Sequence, residues 1–176
     1  MKLKHYDHDG RARFVTFAIH RHLPILTTDP LRQMVLDNID QTRQEFQLRL
    51  LGYVIMLDHV HLVVIPPVEA ELGRIIGDLK RTSARDILDF LRTNDSALLE
   101  ELMVVRDGRL KSVLWQKRCF DHNCRNDDAV KSRIEYCHSN PVKRGLVQNA
   151  EDWPWSSCRW YLGIKDVKLR IDVDET

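Results

Sequence analysis

The sequence predicts an α+β domain in which helices pack on one face of an antiparallel sheet. Three observations carry that reading. Runs rich in β-branched and aromatic residues alternate with stretches of helical period, in the order β-α-β-β-α-(β)-α. A nearly all-apolar stretch, 49–65, has the length of two strands and a tight turn. No linker, internal repeat or low-complexity segment divides the 176 residues, so the expected organisation is a single domain over 1–176.

The elements follow in order. Arg13–Ile19 reads R-F-V-T-F-A-I, a strand by composition. Asp29-Pro30 opens a helix, with Asp as N-cap and Pro at the first helical position, and Leu31, Met34, Val35, Ile39 and Phe46 supply its apolar positions. Two strands then meet at a turn near Leu57-Asp58, and Pro66-Pro67 ends the second. Glu69–Arg92 is the longest helical segment, its stripe formed by Leu72, Ile75, Ile76, Leu79, Ile87, Leu88 and Leu91. Asp107-Gly108 predicts a hairpin turn between Leu102–Arg106 and Arg109–Leu114. Trp115–Arg125 reads as irregular or a short strand. A last helix starts at Asp127-Asp128, buries Val130, Ile134 and Cys137, and is expected to stop near Asn140 because Pro141 disfavours helical geometry in the residue before it.

Composition excludes several classes. Apolar residues make up 43% and charged residues 30%, the balance of a soluble globular protein. No apolar run approaches the eighteen or so residues of a membrane span. The opening Met1-Lys2-Leu3-Lys4-His5-Tyr6-Asp7 has no apolar core, so it does not read as a signal peptide, and a cytoplasmic location is expected. Cys119, Cys124, Cys137 and Cys158 form no C-x-x-C pair and read as reduced thiols; Cys119, His122 and Cys124 lack the second ligand pair of a structural zinc site.

Net charge is +1, but its distribution is uneven. From 1 to 25, Lys2, Lys4, Arg11, Arg13 and Arg21 face two Asp, an excess of three. From 111 to 145, Lys111, Lys117, Arg118, Arg125, Lys131, Arg133, Lys143 and Arg144 face four acids, an excess of four. Such polarity suits a face that tracks phosphates, and equally a solvated surface.

Two groups of residues carry the chemistry. In His59-Val60-His61 the alternation of a strand turns both imidazoles to one face, with Val63 and Ile65 behind them and Val60, Leu62 and Val64 on the other. Apolar residues on both faces mark a central strand. Two adjacent imidazoles suit a divalent cation, or are two separately hydrogen-bonded histidines. Tyr136 and Asn140, four apart, share a helix face. A tyrosine hydroxyl can attack a phosphodiester and hold it covalently, and an amide oxygen can complete a cation site. A phenol is a poor nucleophile at neutral pH, so such a role needs a cation nearby. The other readings are a core aromatic and an ordinary helix-end Asn.

These residues resemble a family. L-D-H-V-H-L-V-V-I-P looks like the signature of HUH nucleases, two histidines flanking one hydrophobic residue on a strand. R-I-E-Y-C-H-S-N-P-V-K-R-G-L-V, residues 133–147, looks like the second signature of the REP-associated tyrosine transposases, a branch of the single-tyrosine HUH transposases. Trp115-Gln116 through Phe120-Asp121-His122 to Arg125-Asn126, Asp152-Trp153-Pro154-Trp155-Ser156-Ser157, and the opening F-V-T-F-A-I-H-R-H-L-P-I-L agree with it. The resemblance runs from about residue 10 to residue 161.

The resemblance implies a ferredoxin-like fold with the histidine strand central and the tyrosine helix lying across the sheet. It implies that His59 and His61, with Asn140 as a third ligand, hold Mg²⁺ or Mn²⁺. Tyr136 would be the nucleophile of single-strand DNA cleavage and transfer, keeping the 5′ phosphate and releasing a 3′ hydroxyl. The implied substrates are single-stranded, hairpin-forming DNA of REP type, with no membrane partner and a monomer as the working form. His122 takes a supporting role near the phosphate, and Lys117, Arg118, Arg125, Lys143 and Arg144 are candidates for phosphate contacts. The acidic stretch and hairpin at 93–112 match no signature. Two other functions remain open beside strand transfer: a domain that binds hairpins without cutting, and a metal-dependent phosphodiesterase that uses water.

Overall fold

A computed structural model of the chain describes residues 10–173. The basic residues Lys2 and Lys4, and the opening segment read for a leader, lie outside the described residues. The element order is β1 (Arg13–Ala18), α1 (Asp29–Glu45), β2 (Arg49–Ile55), β3 (His59–Ile65), α2 (Leu72–Thr93), the one-turn α3 (Leu98–Glu101), β4 (Met103–Arg106), β5 (Arg109–Ser112), β6 (Phe120–Asn123), α4 (Asp127–Lys143) and the short α5 (Cys158–Tyr161). β2, β3, β1 and β6 form one four-stranded sheet in that order, every pair antiparallel, and β4 and β5 form a separate ribbon. This is the ferredoxin-like strand order, with the histidine strand β3 second from the edge.

Register sorts the side chains. Thr16 faces His61, Ala18 faces His59 and Phe14 faces Val63 across β1 and β3; Phe120 faces Thr16 and His122 faces Phe14 across β1 and β6. Directly opposed residues point the same way. One face of the sheet therefore carries His59, His61, Thr16, Phe14, His122 and Phe120.

The opposite face carries Phe17, which meets the Trp115 ring edge-on at 4.8 Å; Trp115 Nε1 in turn donates to Ser83 Oγ on α2. α1 packs against α2 and β2, with Asn38 Nδ2 donating to Asp86 across the pair. Thus α1 and α2 cover the face opposite the histidines, as expected for helices sharing one face. α4 departs from that picture and lies on the histidine face, over β2 and β3. The contact that admits it lies at Gly52, which has no side chain: a Cβ there would come within 3.1 Å of Ile134 Cγ1, so the sheet takes α4 at close range. Ile134 and Cys137 are buried in that contact. Burying an aliphatic side chain contributes roughly 1.5–3 kcal/mol, which the polar N-terminal turns of α4 cannot match.

Pro141 does not stop α4, contrary to the expectation from sequence. The helix continues to Lys143. Pro141 forgoes only the bond its missing N–H would have made to Cys137 O, and the helix runs just two residues beyond it. Gly145 is the real terminator. At φ 68° it adopts the left-handed conformation; its N–H donates to Val142 O and the Leu146 N–H donates to Pro141 O. That is a Schellman closure. The extra residues keep Lys143 and Arg144 beside the helix face that carries Tyr136 and Asn140.

The segment Trp153–Ser157 covers β2, which would otherwise be a bare edge. Ile55 N–H donates to Trp155 O, Trp153 Nε1 donates to Ile55 O, and Ser157 Oγ accepts from Tyr53 N–H and lies 2.9 Å from His138 Nε2 on α4. The W-P-W-S-S motif is therefore structural, a splint between β2 and α4. No helix among the described residues is long and apolar enough to cross a membrane.

Candidate active site

The site is built where β3 passes beneath α4. His59 and His61 are both buried, with ring centroids 4.6 Å apart. Each uses Nδ1 on a neighbour: His59 Nδ1 donates to Asp58 Oδ1 at 2.6 Å, and His61 Nδ1 lies 2.7 Å from Thr16 Oγ1. Asn140 Nδ2 lies 3.0 Å from His61 Nε2. With Nε2 accepting from the amide, the proton of His61 sits on Nδ1 and donates to Thr16, the tautomer that this network assigns.

Electrostatics agree with neutral imidazole. Burial pushes the His61 pKa down to about 3, helped by His59 and by the charges of Arg144 and Arg133 and opposed by Asp58. Burial would raise the Asp58 carboxyl, but the hydrogen bond and charge of His59, a second bond from His22 Nδ1 at 3.1 Å, and Arg144 outweigh it and hold the pKa near 2. Asp58 is thus an ionised anchor for His59.

A divalent cation fits this arrangement. Both imidazoles spend Nδ1 on an oxygen partner and turn Nε2 the other way, the pattern in which an outer carboxylate or hydroxyl orients a metal-binding histidine. Among the described residues no third His, Cys, Asp or Glu joins them. The Asn140 amide, reversed so that Oδ1 faces inward, is the donor at hand.

Tyr136 lies on the same helix face as Asn140. Its ring meets His61 at 5.2 Å and Phe14 at 5.8 Å, both edge-on, and remains 38% exposed, so a substrate can reach it. Lys143 Nζ stands 5.3 Å from the Tyr136 ring centre, and the Arg133 guanidinium lies 5.0 Å from that of Phe14. The structure therefore brings together His59, His61, Asn140, Tyr136, Lys143 and Arg144. Among the described residues, His122 connects to the group through Phe14, its partner across the sheet. Lys117, Arg118 and Arg125 are exposed and flank β6 at the margin of the same sheet.

Sequence reasoning missed four participants. Asp58 and Thr16 orient the histidines, Phe14 is the floor between His61 and Tyr136, and Arg133 was counted only as charge. Asp58 was detectable, since it directly precedes the histidine pair. Thr16 and Phe14 needed the β1–β3 register. Cys119, Cys124, Cys137 and Cys158 are all free thiols.

Comparison with known proteins gives the chain a family. Residues 8–140 match the family model described as Transposase IS200 like. The chain belongs to the IS200-like transposase family. Within it, the chain is similar to a Haemophilus influenzae protein classed with the REP-associated tyrosine transposases, at 28% identity over 132 residues, 74% of this chain and 68% of that one. It also matches the REP-associated tyrosine transposase of Escherichia coli K12, at 40% identity over 48 residues, 27% of this chain and 28% of that one. This second match thus spans well under half of the relative.

Among solved structures, a REP-associated tyrosine transposase bound to a REP hairpin shares the fold, with a TM-score of 0.69 at 20% identity, over 100% of this chain and 94% of that one. A Deinococcus radiodurans protein described as a transposase aligns with a TM-score of 0.52 at 16% identity, over 80% of this chain and 97% of that one. The α+β, ferredoxin-like architecture of this IS200-like transposase is therefore shared with that group.

Proposed function

We propose that this transposase cleaves and rejoins single-stranded, hairpin-forming DNA through a covalent link to Tyr136. The observation that carries the reading is the accessible Tyr136 ring set edge-on to the buried His61, with Asn140 bridging the same helix face to the same histidine. The Tyr136 ring is 38% exposed, edge-on to the His61 imidazole and 5.3 Å from Lys143 Nζ, so it is open to a substrate and close to a cation.

In the proposed reaction the Tyr136 oxygen bonds to the scissile phosphorus as its proton passes to solvent. The bond from phosphorus to the 3′ oxygen breaks, and that oxygen leaves as a 3′ hydroxyl. The 5′ phosphate stays on Tyr136 until another 3′ hydroxyl reverses the step and joins strands. His59, His61 and Asn140 would hold Mg²⁺ or Mn²⁺, which would polarise the scissile phosphate and offset charge on the leaving oxygen. Asp58 and Thr16 hold the imidazoles in the required tautomer. Lys143 and Arg144 attract the phosphate from the helix side, and His122 and Lys117, Arg118 and Arg125 lie along the path of the flanking strand. Tyr136 meets His61 of its own chain at 5.2 Å, which supports attack in cis, and the resemblance to the REP-associated transposases favours a monomer. The substrate class is supported by the similar transposase whose structure holds a REP hairpin.

The test is a covalent-capture assay. Wild type and Tyr136→Phe are incubated with labelled single-stranded hairpins of REP type and Mn²⁺, then run on a denaturing gel. An adduct with wild type that is lost in Tyr136→Phe, in His59→Ala and in chelator is the expected result. Cleavage without an adduct would sink the tyrosine mechanism in favour of attack by water. Binding on a native gel, with neither cleavage nor adduct, would leave a hairpin-binding domain.

A further inference from the structure

β6 is the outer strand of the sheet. Its two residues on the histidine face, Phe120 and His122, are both exposed, Phe120 to 51%. What sets Phe120 apart from a lone exposed hydrophobic is the second exposed ring, His122, beside it on the same face. The two rings are nearly parallel, 6° apart in orientation, with centroids separated by 6.2 Å. Residues two apart on a strand are spaced by about 6.7 Å. Stacked nucleobases repeat at about 3.4 Å, so a single base between two rings needs roughly twice that. The gap is thus within a small side-chain adjustment of admitting one flat base.

Placement supports the same occupant. Phe120 stands opposite Thr16, which holds His61, and His122 stands opposite Phe14, which touches both His61 and Tyr136. Arg133 lies over Phe14. Lys117 and Arg118 are exposed on the approach to Phe120, on a loop whose backbone carbonyls at Gln116 and Lys117 accept from Lys80 Nζ. Aromatic planes bordered by cations are the pairing that suits unpaired nucleic acid, the rings taking bases and the cations taking phosphates. Paired DNA offers no such edge, because its bases are already stacked.

We infer that Phe120 and His122 form a clamp for one unpaired base of the single-stranded segment beside the scissile phosphate. The inference rests on the reading of this chain as a transposase of single-stranded DNA. The clamp sets the position of the strand along β6 and so fixes which phosphate reaches Tyr136. It is indifferent to base identity, since every base has a flat face.

Equilibrium binding of the full chain, by fluorescence anisotropy in chelator, tests it. The probes are a DNA hairpin with an unpaired flank, the same hairpin without the flank, and flanked hairpins with an abasic site moved along the flank. Wild type is expected to prefer the flanked hairpin, and an abasic site at one position should weaken binding roughly five- to a hundred-fold, the range of one base–aromatic stack. Phe120→Ala and Phe120→Leu should show the same loss and no further response to that abasic site, while Phe120→Trp retains both. Thermal melting should be unchanged, because Phe120 is half exposed. If Phe120→Ala binds as wild type and still responds to the same abasic site, the clamp is wrong and the strand-transfer reading stands. If wild type prefers no flanked hairpin over the bare one, the single-strand reading itself fails, and the clamp with it.

Discussion

Asn140 Nδ2 lies 3.0 Å from Nε2 of His61, so a single polar contact ties the helix that carries the tyrosine to the strand that carries the histidines. Both partners are buried at 5% exposure. A buried polar pair is costly to leave half made. Asn140→Ala should therefore lower stability by about 1–3 kcal/mol, read as a lower midpoint in urea, and should remove most covalent adduct under native conditions. Asn140→Asp supplies an oxygen donor of the same size and should retain more adduct than Asn140→Ala. Equal adduct from the two variants would show that Asn140 only packs.

Asp58 is the clearest test of how the histidines are oriented. Its carboxylate accepts from His59 and from His22, and neither bond depends on the α4 contact. Loss of an outer partner of a metal-binding histidine typically weakens the metal by 10–100-fold. Asp58→Asn should weaken Mn²⁺ by that range in isothermal titration, and Thr16→Val should act the same way through His61. Metal binding unchanged in both variants would remove these residues from the site.

Much of the site is legible in the sequence, and the rest depends on long-range contacts. The histidine pair was readable because strand alternation alone puts both rings on one face. Tyr136 and Asn140 were readable because four residues make about one helical turn. Pro141 misled, because its effect on the residue before it was weighed without the Schellman closure at Gly145, which needs the glycine's positive φ and a carbonyl three residues back. The side taken by α4 was not legible. It depends on Gly52 lying beneath Ile134, a contact between residues 82 positions apart that no local pattern encodes. The W-P-W-S-S segment read as a signature without a role; its role is the coverage of β2, visible only from the hydrogen bonds of Ile55 and Ser157.

Gly52 allows that contact to be challenged directly. Gly52→Val adds branches where even a Cβ stands 3.1 Å from Ile134. Overpacking of this kind costs about 1–3 kcal/mol. The variant should keep its far-ultraviolet circular dichroism but lose adduct more steeply than its fall in stability explains, because α4 is lifted from β3 and Tyr136 from His61. A variant with full adduct yield and an unchanged midpoint would mean that the sheet yields instead of the helix.

Gly145 sets where α4 ends. With φ at 68°, an alanine there pays the left-handed strain, and Gly145→Ala should cost about 1 kcal/mol, a fall of about 2–4 °C in Tm for a chain of this size. The same change should lower single-strand affinity, because Arg144 follows the helix end. A stability loss without any change in binding would detach Arg144 from the substrate path.

Arg144 and Arg125 can then be separated by salt. Arg144 acts on Asp58 and His61, whereas Arg125 is exposed just beyond the end of β6. Each phosphate neutralised on a single strand contributes about −0.7 to the slope of log affinity against log salt. A titration of hairpin binding over salt, in chelator, should show Arg144→Ala flattening the slope by about that amount even when the flank is cut back to the scissile phosphate, since it lies at the cleavage site. Arg125→Ala should flatten it only when the flank is present, because β6 carries the flank and not the stem. The reverse pattern would put the stem on β6 and turn the orientation of the bound strand around.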